Sequence, residues 1–167
     1  MHDRLTKGDI KKMQDEIWYR RTELRPRLLK SLQEARAQGD LSENFEYYAA
    51  KREKNINESR IRYLENMIKT ATVIEDDSAP DEVGLNNTVT VLFVEDDEEE
   101  TVRIVTTVRS DVTENMVSID SPLGKALMKL HAGDTAEVVT ETGYRYHVTV
   151  KNIVKTTDEE NDRISTY

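Results

Sequence analysis

A heptad pattern between residues 47 and 71 is the feature that most constrains the fold of this chain. Eight positions recur at alternating intervals of three and four, and six of them are apolar or small: Tyr47, Ala50, Lys54, Asn57, Ile61, Leu64, Ile68 and Ala71. This spacing places all eight side chains on one face of an α-helix, as in a helix packed along a partner helix. The polar members Lys54 and Asn57 weaken this seam and can fix its register.

The preceding segment is predicted to form the partner helix. Its apolar residues line one face less regularly: Ile10, Met13, Ile17, Leu24, Leu28, Leu32 and Ala35. Because proline lacks an N–H and crowds the preceding turn, we expect a helix over 8–38 that kinks or breaks near Pro26. Gly39 is suited to end it, and a second helix over 43–71 would be about 43 Å long. The sequence therefore predicts an antiparallel helical hairpin with a very short turn.

The remainder of the chain has the short, β-branched segments typical of a sheet. Five strands are predicted, over residues 88–94, 101–108, 115–120, 135–140 and 144–150. The acidic run 95–100 is interpreted as a solvated hairpin loop, and Pro122 is expected to open a short helix over 123–130. These elements predict a small α+β domain.

These patterns divide the chain into four parts. The predicted fold class is α+β, with a long antiparallel coiled coil over 1–74 and a small α+β domain over 88–155. Residues 75–87 have the composition of a linker, and the polar tail 156–167 is expected to be frayed.

Charge is distributed unevenly between the two halves. The net charge of the whole chain is −9, yet residues 1–72 carry 16 Lys and Arg against 12 Asp and Glu, whereas residues 73–167 carry 8 against 21. The asymmetry indicates two modules that face different partners, the first tolerant of a polyanion. So acidic a protein is not expected to bind duplex DNA by itself, because neutralising phosphates supplies most of that affinity.

Composition also excludes several kinds of chemistry. The chain has no cysteine, which excludes disulfides, thiol catalysis and Cys-based zinc sites. Its three histidines, His2, His131 and His147, are scattered, so a His-rich metal site is not expected. There is no apolar run of membrane-spanning length and no signal-peptide pattern at the N-terminus, so we expect a cytoplasmic protein without a membrane partner.

Two acids at the predicted hairpin turn, Asp40 and Glu43, admit two interpretations. An Asp followed three residues later by Glu at a helix start is typical of a capping box, in which both carboxylates satisfy backbone donors. Alternatively, two carboxylates at the end of a long projection form half of a Mg²⁺ site. Two acids alone would not make an enzyme, so a partner would have to supply further ligands, another metal and a phosphate-bearing substrate.

Basic residues concentrate on the first helix. Five cations surround a single acid, Glu23: Arg20, Arg21, Arg25, Arg27 and Lys30. They can form a solvated face with intrahelical ion pairs. The excess over acids within the segment also suits a passing RNA strand or an acidic protein wall.

Three motifs resemble the signature of the bacterial transcript-cleavage (Gre) factors, GreA type. The longest is EAR-x-x-GDLSEN-x-EY-x-AAK over residues 34–51. A second is SIDSPLGKAL over 118–127, and a third, weaker match is Gly133-Asp134 followed by EVV at 137–139. The resemblance as a whole covers roughly residues 5–154 in matching order and spacing.

The resemblance implies a coiled coil followed by a domain similar to the FKBP fold. In this family the coiled coil enters the secondary channel of a backtracked RNA polymerase, and the C-terminal domain holds the channel rim. The tip acids then help the polymerase active centre to retain a second Mg²⁺ and to position a water that hydrolyses the RNA near its extruded 3′ end. The free protein would bind no cofactor, and it would be an accessory factor rather than an enzyme.

The resemblance also implies roles for individual residues. Asp40 and Glu43 occupy the positions of the catalytic, metal-binding acids. Further positions match contacts to polymerase or RNA, namely Arg36, Asn44, Tyr47, Lys51 and Arg52 near the tip, and Asp120, Ser121 and Pro122 in the segment that docks on the rim.

One departure from the family pattern keeps an alternative open. Phe45 stands where the family usually has a small residue, placing a large ring beside the tip. The alternative is a non-cleaving regulator of the secondary channel with the same fold. A prolyl isomerase is not favoured, because after residue 75 the only aromatic residues are Phe93, Tyr144, Tyr146 and Tyr167. A plain coiled-coil adaptor would need neither the acidic tip nor the rim segment.

Overall fold

The computed structural model describes residues 3–39 and 44–166. The chain divides into two compact units, which are considered separately. The first comprises residues 1–3 and 10–71, and the second comprises residues 4–9 and 72–167.

Helices make up the first unit. They are α1 (Lys7–Tyr19), whose residues from Ile10 onward belong to this unit, α2 (Arg25–Arg36) and α3 (Phe45–Thr70). With 26 residues, α3 is about 39 Å long at 1.5 Å per residue. The side chain of Asn44 caps it by accepting a hydrogen bond from the N–H of Tyr47 at 3.0 Å.

A π-helical segment, Arg20–Leu24, joins α1 to α2. The N–H of Arg25 donates to the carbonyl of Arg20, five residues back. Pro26, in the first turn of α2, has no N–H to donate and would crowd the carbonyl four residues earlier. One extra residue in the turn accommodates it, so the predicted kink near Pro26 takes the form of a π-bulge and the helix continues beyond it.

The predicted seam packs α3 against the earlier helices. Four of the six buried residues on α3 are heptad positions, Ala50, Asn57, Ile61 and Leu64, and the other two, Arg60 and Met67, lie beside them on the same face. They are matched by the buried side chains of Met13, Ile17 and Ala35. Hydrogen bonds from Arg20 to Asn57 and from Arg60 to Glu16 show that the helices run antiparallel. The predicted helical hairpin is confirmed.

The second unit is built on a five-stranded sheet. Its strands are β3 (Thr88–Phe93), β4 (Glu98–Val105), β5 (Met116–Ser118), β6 (Thr135–Val139) and β7 (Arg145–Val154), after a two-residue parallel pair of β1 (Arg4–Leu5) and β2 (Thr72–Val73). The sheet order is β5-β4-β3-β7-β6, and only the β4–β5 pair is parallel. A short helix, α4 (Pro122–Leu127), lies between β5 and β6 in the chain. The predicted α+β fold class is therefore confirmed.

One face of the sheet carries the core of the second unit. Its fully or nearly buried members are mostly β-branched: Val83, Leu85, Val89, Val91, Val102, Ile104, Ile119, Leu127, Val138, Val148 and Val150. β-Branched side chains pack well on a pleated surface, which is why these segments form strands.

Several boundaries differ from prediction. The acidic run 95–100 is only partly a loop, since β4 begins at Glu98, which pairs with Phe93. The turn between β3 and β4 is therefore limited to residues 94–97, and Asp97 adopts the left-handed backbone conformation with φ 51°. Val83 and Leu85, inside the predicted linker, are core residues, because Val83 bonds the loop after α4 through its N–H and carbonyl.

The tail also differs from its predicted frayed state. Its residues bond to the sheet unit at several points, including Thr156 to the carbonyl of Asn86, Asp162 to Arg103 and the N–H of Ser165 to the carbonyl of Val108. These hydrogen bonds and ion pairs to buried or half-buried polar groups of the sheet unit hold the polar tail in place.

Candidate functional site

The predicted catalytic acids, Asp40 and Glu43, lie outside the described residues, and their roles stay predictions. The structure does settle what caps the second helix of the hairpin. That cap is Asn44, whose Oδ1 accepts from the N–H of Tyr47. A helix has one N-cap, so capping of α3 requires neither acid.

Asn44 also joins the two helices at the hairpin end. Its Nδ2 donates to the carbonyl of Ala35 at 2.6 Å, so one side chain satisfies a donor of α3 and an acceptor of α2. The guanidinium of Arg36 lies 5.7 Å from the ring centroid of Tyr47, within cation–π range. The structure thus brings together three predicted site residues, Arg36, Asn44 and Tyr47, directly beside residues 40–43.

The surface next to this cluster is aromatic and basic. Phe45 is 85% exposed and Tyr48 is 49% exposed, while the rings of Tyr47 and Tyr48 meet edge to face at 5.4 Å. Lys51 and Arg52 follow on α3 and are exposed. The rings of Phe45 and Tyr48 and the side chains of Lys51 and Arg52 are therefore accessible to a partner.

The basic cluster of the first helix is mainly used within the hairpin. Its partners are Glu16 and Asn57 for Arg20, Glu65 for Arg21, Glu58 for Arg25 and the hydroxyl of Tyr19 for Arg27. Counting acids only between residues 20 and 30 missed partners that α3 supplies across the hairpin. The interpretation as a surface for RNA or an acidic wall is therefore not favoured for Arg20, Arg21 and Arg25, whose charges are paired with carboxylates.

The predicted rim segment begins at the end of β5. Ser121 is the N-cap of α4: its Oγ accepts from the N–H of Gly124 at 3.0 Å and donates to the carbonyl of Ser118 at 2.7 Å. Pro122 occupies the first turn of α4, where its missing N–H costs nothing. Ser121 and Pro122 therefore hold the segment in shape.

Asp120 presents the charge of this segment. Its carboxylate pairs with Arg4 and accepts from the Thr107 hydroxyl at 2.8 Å. Partial burial alone would raise the pKa of Asp120, but the hydrogen bonds from Arg4 and Thr107 outweigh burial and lower it. Asp120 is thus ionised at neutral pH and available to an outside donor.

Sequence reasoning missed a buried ionic cluster in the second unit. Arg109, fully buried, contacts the carboxylates of Asp9, Glu159 and Asp162 at 2.6, 3.1 and 2.7 Å. Nothing in the spacing of these residues signals the cluster, because they lie 50 or more positions from Arg109. A lone Arg between short strands was the only clue.

Neither a metal site nor a membrane helix is found in the described part of the chain. Within residues 3–39 and 44–166, no three His, Asp or Glu side chains come together in a way that would hold a metal ion. Over the same ranges, no helix has both the length and the apolar character needed to cross a membrane.

Two family models match most of the chain. The model described as "Transcription elongation factor, N-terminal" matches residues 4–73, and "Transcription elongation factor, GreA/GreB, C-term" matches residues 77–155. The chain is 43% identical over 140 residues to Transcription elongation factor GreA of Geobacillus kaustophilus, covering 83% of this chain and 89% of that protein. It is 39% identical over 142 residues to the protein of the same name from Brucella anthropi, covering 84% and 90%.

Among solved structures, GreA factor homolog 1 (Gfh1) of Thermus thermophilus is 28% identical, with a TM-score of 0.42 over 92% of this chain and 99% of that one. The family matches cover both the hairpin and the sheet unit, in the order in which the motifs were found. The chain belongs to the GreA/GreB family of transcription elongation factors.

Proposed function

We propose that this elongation factor stimulates the Mg²⁺-dependent cleavage of backtracked RNA by RNA polymerase. The hairpin would enter the secondary channel, and the new RNA 3′ end would allow an arrested complex to resume synthesis. Family membership over both units, together with the presence of both acids at the hairpin turn, is the observation that carries this proposal.

The hairpin is suited to carrying the acids into a narrow channel. Its two arms are joined along their length by interhelical pairs such as Arg25–Glu58 at 2.7 Å and Arg60–Glu16 at 2.8 Å. At the far end, Asn44 bonds both α2 and α3. Because the helix ends that flank residues 40–43 are held together, positioning the two acids would cost less conformational entropy.

The donors at the turn fit a Mg²⁺ ion only when that ion is shared. Carboxylate oxygens are the ligands that Mg²⁺ prefers, but one or two of them hold it weakly. Asp40 and Glu43 would therefore act with ligands of the polymerase active centre. An ion held there would supply Lewis-acid stabilisation and an activated water for hydrolysis. The protein itself would remain an accessory factor that donates carboxylates.

The second unit would attach to the rim of the channel through Asp120, Ser121 and Pro122. α4 orients this segment, because Ser121 caps the helix and Pro122 occupies its first turn. Arg36, Lys51 and Arg52, near the hairpin turn, would face the polymerase or the extruded RNA.

RNA cleavage in a halted, backtracked elongation complex with Mg²⁺ tests the proposal. We expect short 3′ fragments with the protein and a loss of at least about tenfold in rate with Asp40→Asn or Glu43→Gln. Glu46→Gln, an exposed acid in the first turn of α3, is the matched control and should cleave normally. Loss of polymerase binding in the Asp40 and Glu43 variants would instead give these acids a structural role.

The alternative, a regulator that occupies the channel without promoting cleavage, is favoured by one observation. Phe45, directly after the turn, is 85% exposed, and a ring of that size can hinder seating of the acids. Polymerase binding without RNA fragments would support this alternative. In that case Phe45→Ala, which removes the ring from an exposed position, should restore cleavage.

A further inference from the structure

An aromatic row lies at one end of the core face of the sheet. It consists of Phe93 at the end of β3, Tyr144 directly before β7 and Tyr146 in the second position of β7. The ring centroids of Phe93 and Tyr146 are 6.0 Å apart, as are those of Tyr144 and Tyr146, and the ring planes are inclined by about 30° in both pairs. Three of the four aromatic residues that the second half contains are thus in one place.

Strand pairing explains why these rings share a face. Phe93 pairs with Val148, and Tyr146 pairs with Val138. Both valines are fully buried in the core. The three rings therefore lie on the same face of the sheet as the buried core residues, at its end. The ring farthest from the core, Tyr144, is 64% exposed. Phe93 and Tyr146 pack half-buried against the core cluster, so the row runs from the core to the exposed ring of Tyr144, as on a surface that is covered by a partner.

The row is bordered by acids on the same face. Glu98 and Glu100 on β4 pair with Phe93 and Val91, so their side chains lie on the core face of the sheet. Glu95 and Asp96 in the adjoining turn line, with the three rings, a cleft of about 180 Å³. Among the residues described, the Asp96 carboxylate takes no hydrogen bond or ion pair, whereas Glu95 is held by His147.

The neighbouring cations do not neutralise this border. Arg145 pairs with Val139, on the opposite face from Val138 and Tyr146, and its guanidinium bonds Glu137. The cleft therefore combines aromatic faces with uncompensated negative charge. This combination repels nucleic acid and anionic lipid and favours a cation.

We propose that this cleft binds the guanidinium group of an arginine in a segment of a partner protein. Arginine is planar, weakly hydrated and able to stack on aromatic faces while it donates to carboxylates, so it uses both features of the cleft at once. The volume suits one long side chain rather than a folded element. The cleft is at the end of the sheet where β3 and β4 meet in a turn, opposite the end that carries Asp120, so it is separate from the proposed rim segment.

Titration of the ¹⁵N-labelled full-length protein with the peptide acetyl-Gly-Gly-Arg-Gly-Gly-amide tests the proposal. We expect saturable amide shifts concentrated at residues 93–96 and 144–147. The same peptide with neutral citrulline should give none, and the lysine peptide should bind more weakly, because its ammonium is compact and strongly hydrated. Tyr144→Ala and Asp96→Asn should each weaken arginine binding by about threefold or more.

Val139→Ala is the matched control, because it removes an exposed apolar side chain from the opposite face of the same β6–β7 hairpin. It should leave binding unchanged. Equal binding of the lysine and arginine peptides, or an unchanged affinity in Tyr144→Ala, would overturn the proposal in favour of nonspecific attraction to acids. Spermidine that binds the same residues more tightly than the arginine peptide would overturn it in favour of a small polyamine.

Discussion

The side chains of Arg109 and Asp9 form an ion pair in which both are fully buried, with 2.6 Å between Nε and Oδ1. Asp9 also accepts hydrogen bonds from the N–H of Thr6 at 2.9 Å and from the hydroxyl of Thr106 at 2.7 Å. The carboxylate therefore caps the start of α1 and at the same time neutralises an arginine of the sheet unit. Removing both charges from water costs free energy, and the hydrogen bonds that surround the pair offset this desolvation cost.

Replacing Asp9 should destabilise the protein. Asp9→Asn keeps the shape but replaces one acceptor oxygen by an amide donor among the buried donors of Thr6, Thr106 and Arg109. Because Arg109 keeps Glu159 and Asp162, the cost should be about 1–3 kcal/mol. Urea denaturation followed by circular dichroism measures the effect. Asp15→Asn, which breaks the exposed Lys11–Asp15 pair, is the control and should cost less than about 0.5 kcal/mol. Similar losses in the two variants would contradict the importance of burial.

The tail should make stability depend on pH through Asp162. Burial alone would raise the pKa of Asp162, but hydrogen bonds from Arg103 and Arg109 outweigh it and lower the pKa below its ordinary 3.8. Because the folded-state pKa is depressed, the contribution is fully present above about 3.8 and is lost as pH falls through the folded value.

Comparing Asp162→Asn with the unmodified protein across pH tests this relationship. The variant should be less stable at pH 7, and the difference should shrink below pH 4, as measured by the midpoint of thermal unfolding. Glu160→Gln alters an exposed acid of the same tail and should have little effect at either pH. A difference that stays constant down to pH 2 would rule out the carboxylate as the titrating group.

Asn57 should stabilise the hairpin although it is polar and buried in an apolar seam. It is 2% exposed, and it accepts from Nη1 of Arg20 at 3.0 Å and donates to the Arg20 carbonyl at 3.3 Å. Asn57→Ala removes both of these hydrogen bonds, although Arg20 keeps Glu16 and the N–H of Arg25 as partners, and should cost about 1–2 kcal/mol. Asn55→Ala, on the exposed side of α3, should be nearly neutral in the same thermal unfolding measurement.

Gly124 should be required for the placement of α4. A Cβ at this position would collide with the carbonyl oxygen of Ser118, which already accepts from Ser121. Gly124→Ala should therefore displace the helix and lower stability by about 1–3 kcal/mol, whereas the exposed Lys125→Ala should not. If Asp120, Ser121 and Pro122 attach the protein to the channel rim, Gly124→Ala should also weaken polymerase binding. A fully stable variant that binds polymerase normally would contradict both expectations.

Local sequence patterns predicted the hairpin and most of the sheet, because helix and strand formation depend on the spacing and type of residues that are close together in the chain. The heptad from Ala50 to Leu64 requires a helix with one buried face, and the β-branched runs require strands. Boundaries were less accurate where tertiary pairing overrides composition, as at Glu98, an acidic residue that extends β4 because Phe93 lies opposite. The motif over 118–127 and Pro122 indicated where α4 begins, but the hydrogen bonds by which Ser121 caps this helix became clear only from the structure.

The sequence by itself determined the two periodicities, the pair of acids at positions 40 and 43 and the family motifs, since each is a property of nearby residues. Only the tertiary structure decided which distant groups meet. The burial of Arg109 with Asp9 and Asp162, and the gathering of Phe93 and Tyr146 beside free acids, join residues 50 or more positions apart. Such pairs leave no local pattern, because their energy arises from desolvation and charge in a folded interior rather than from conformational preferences along the chain.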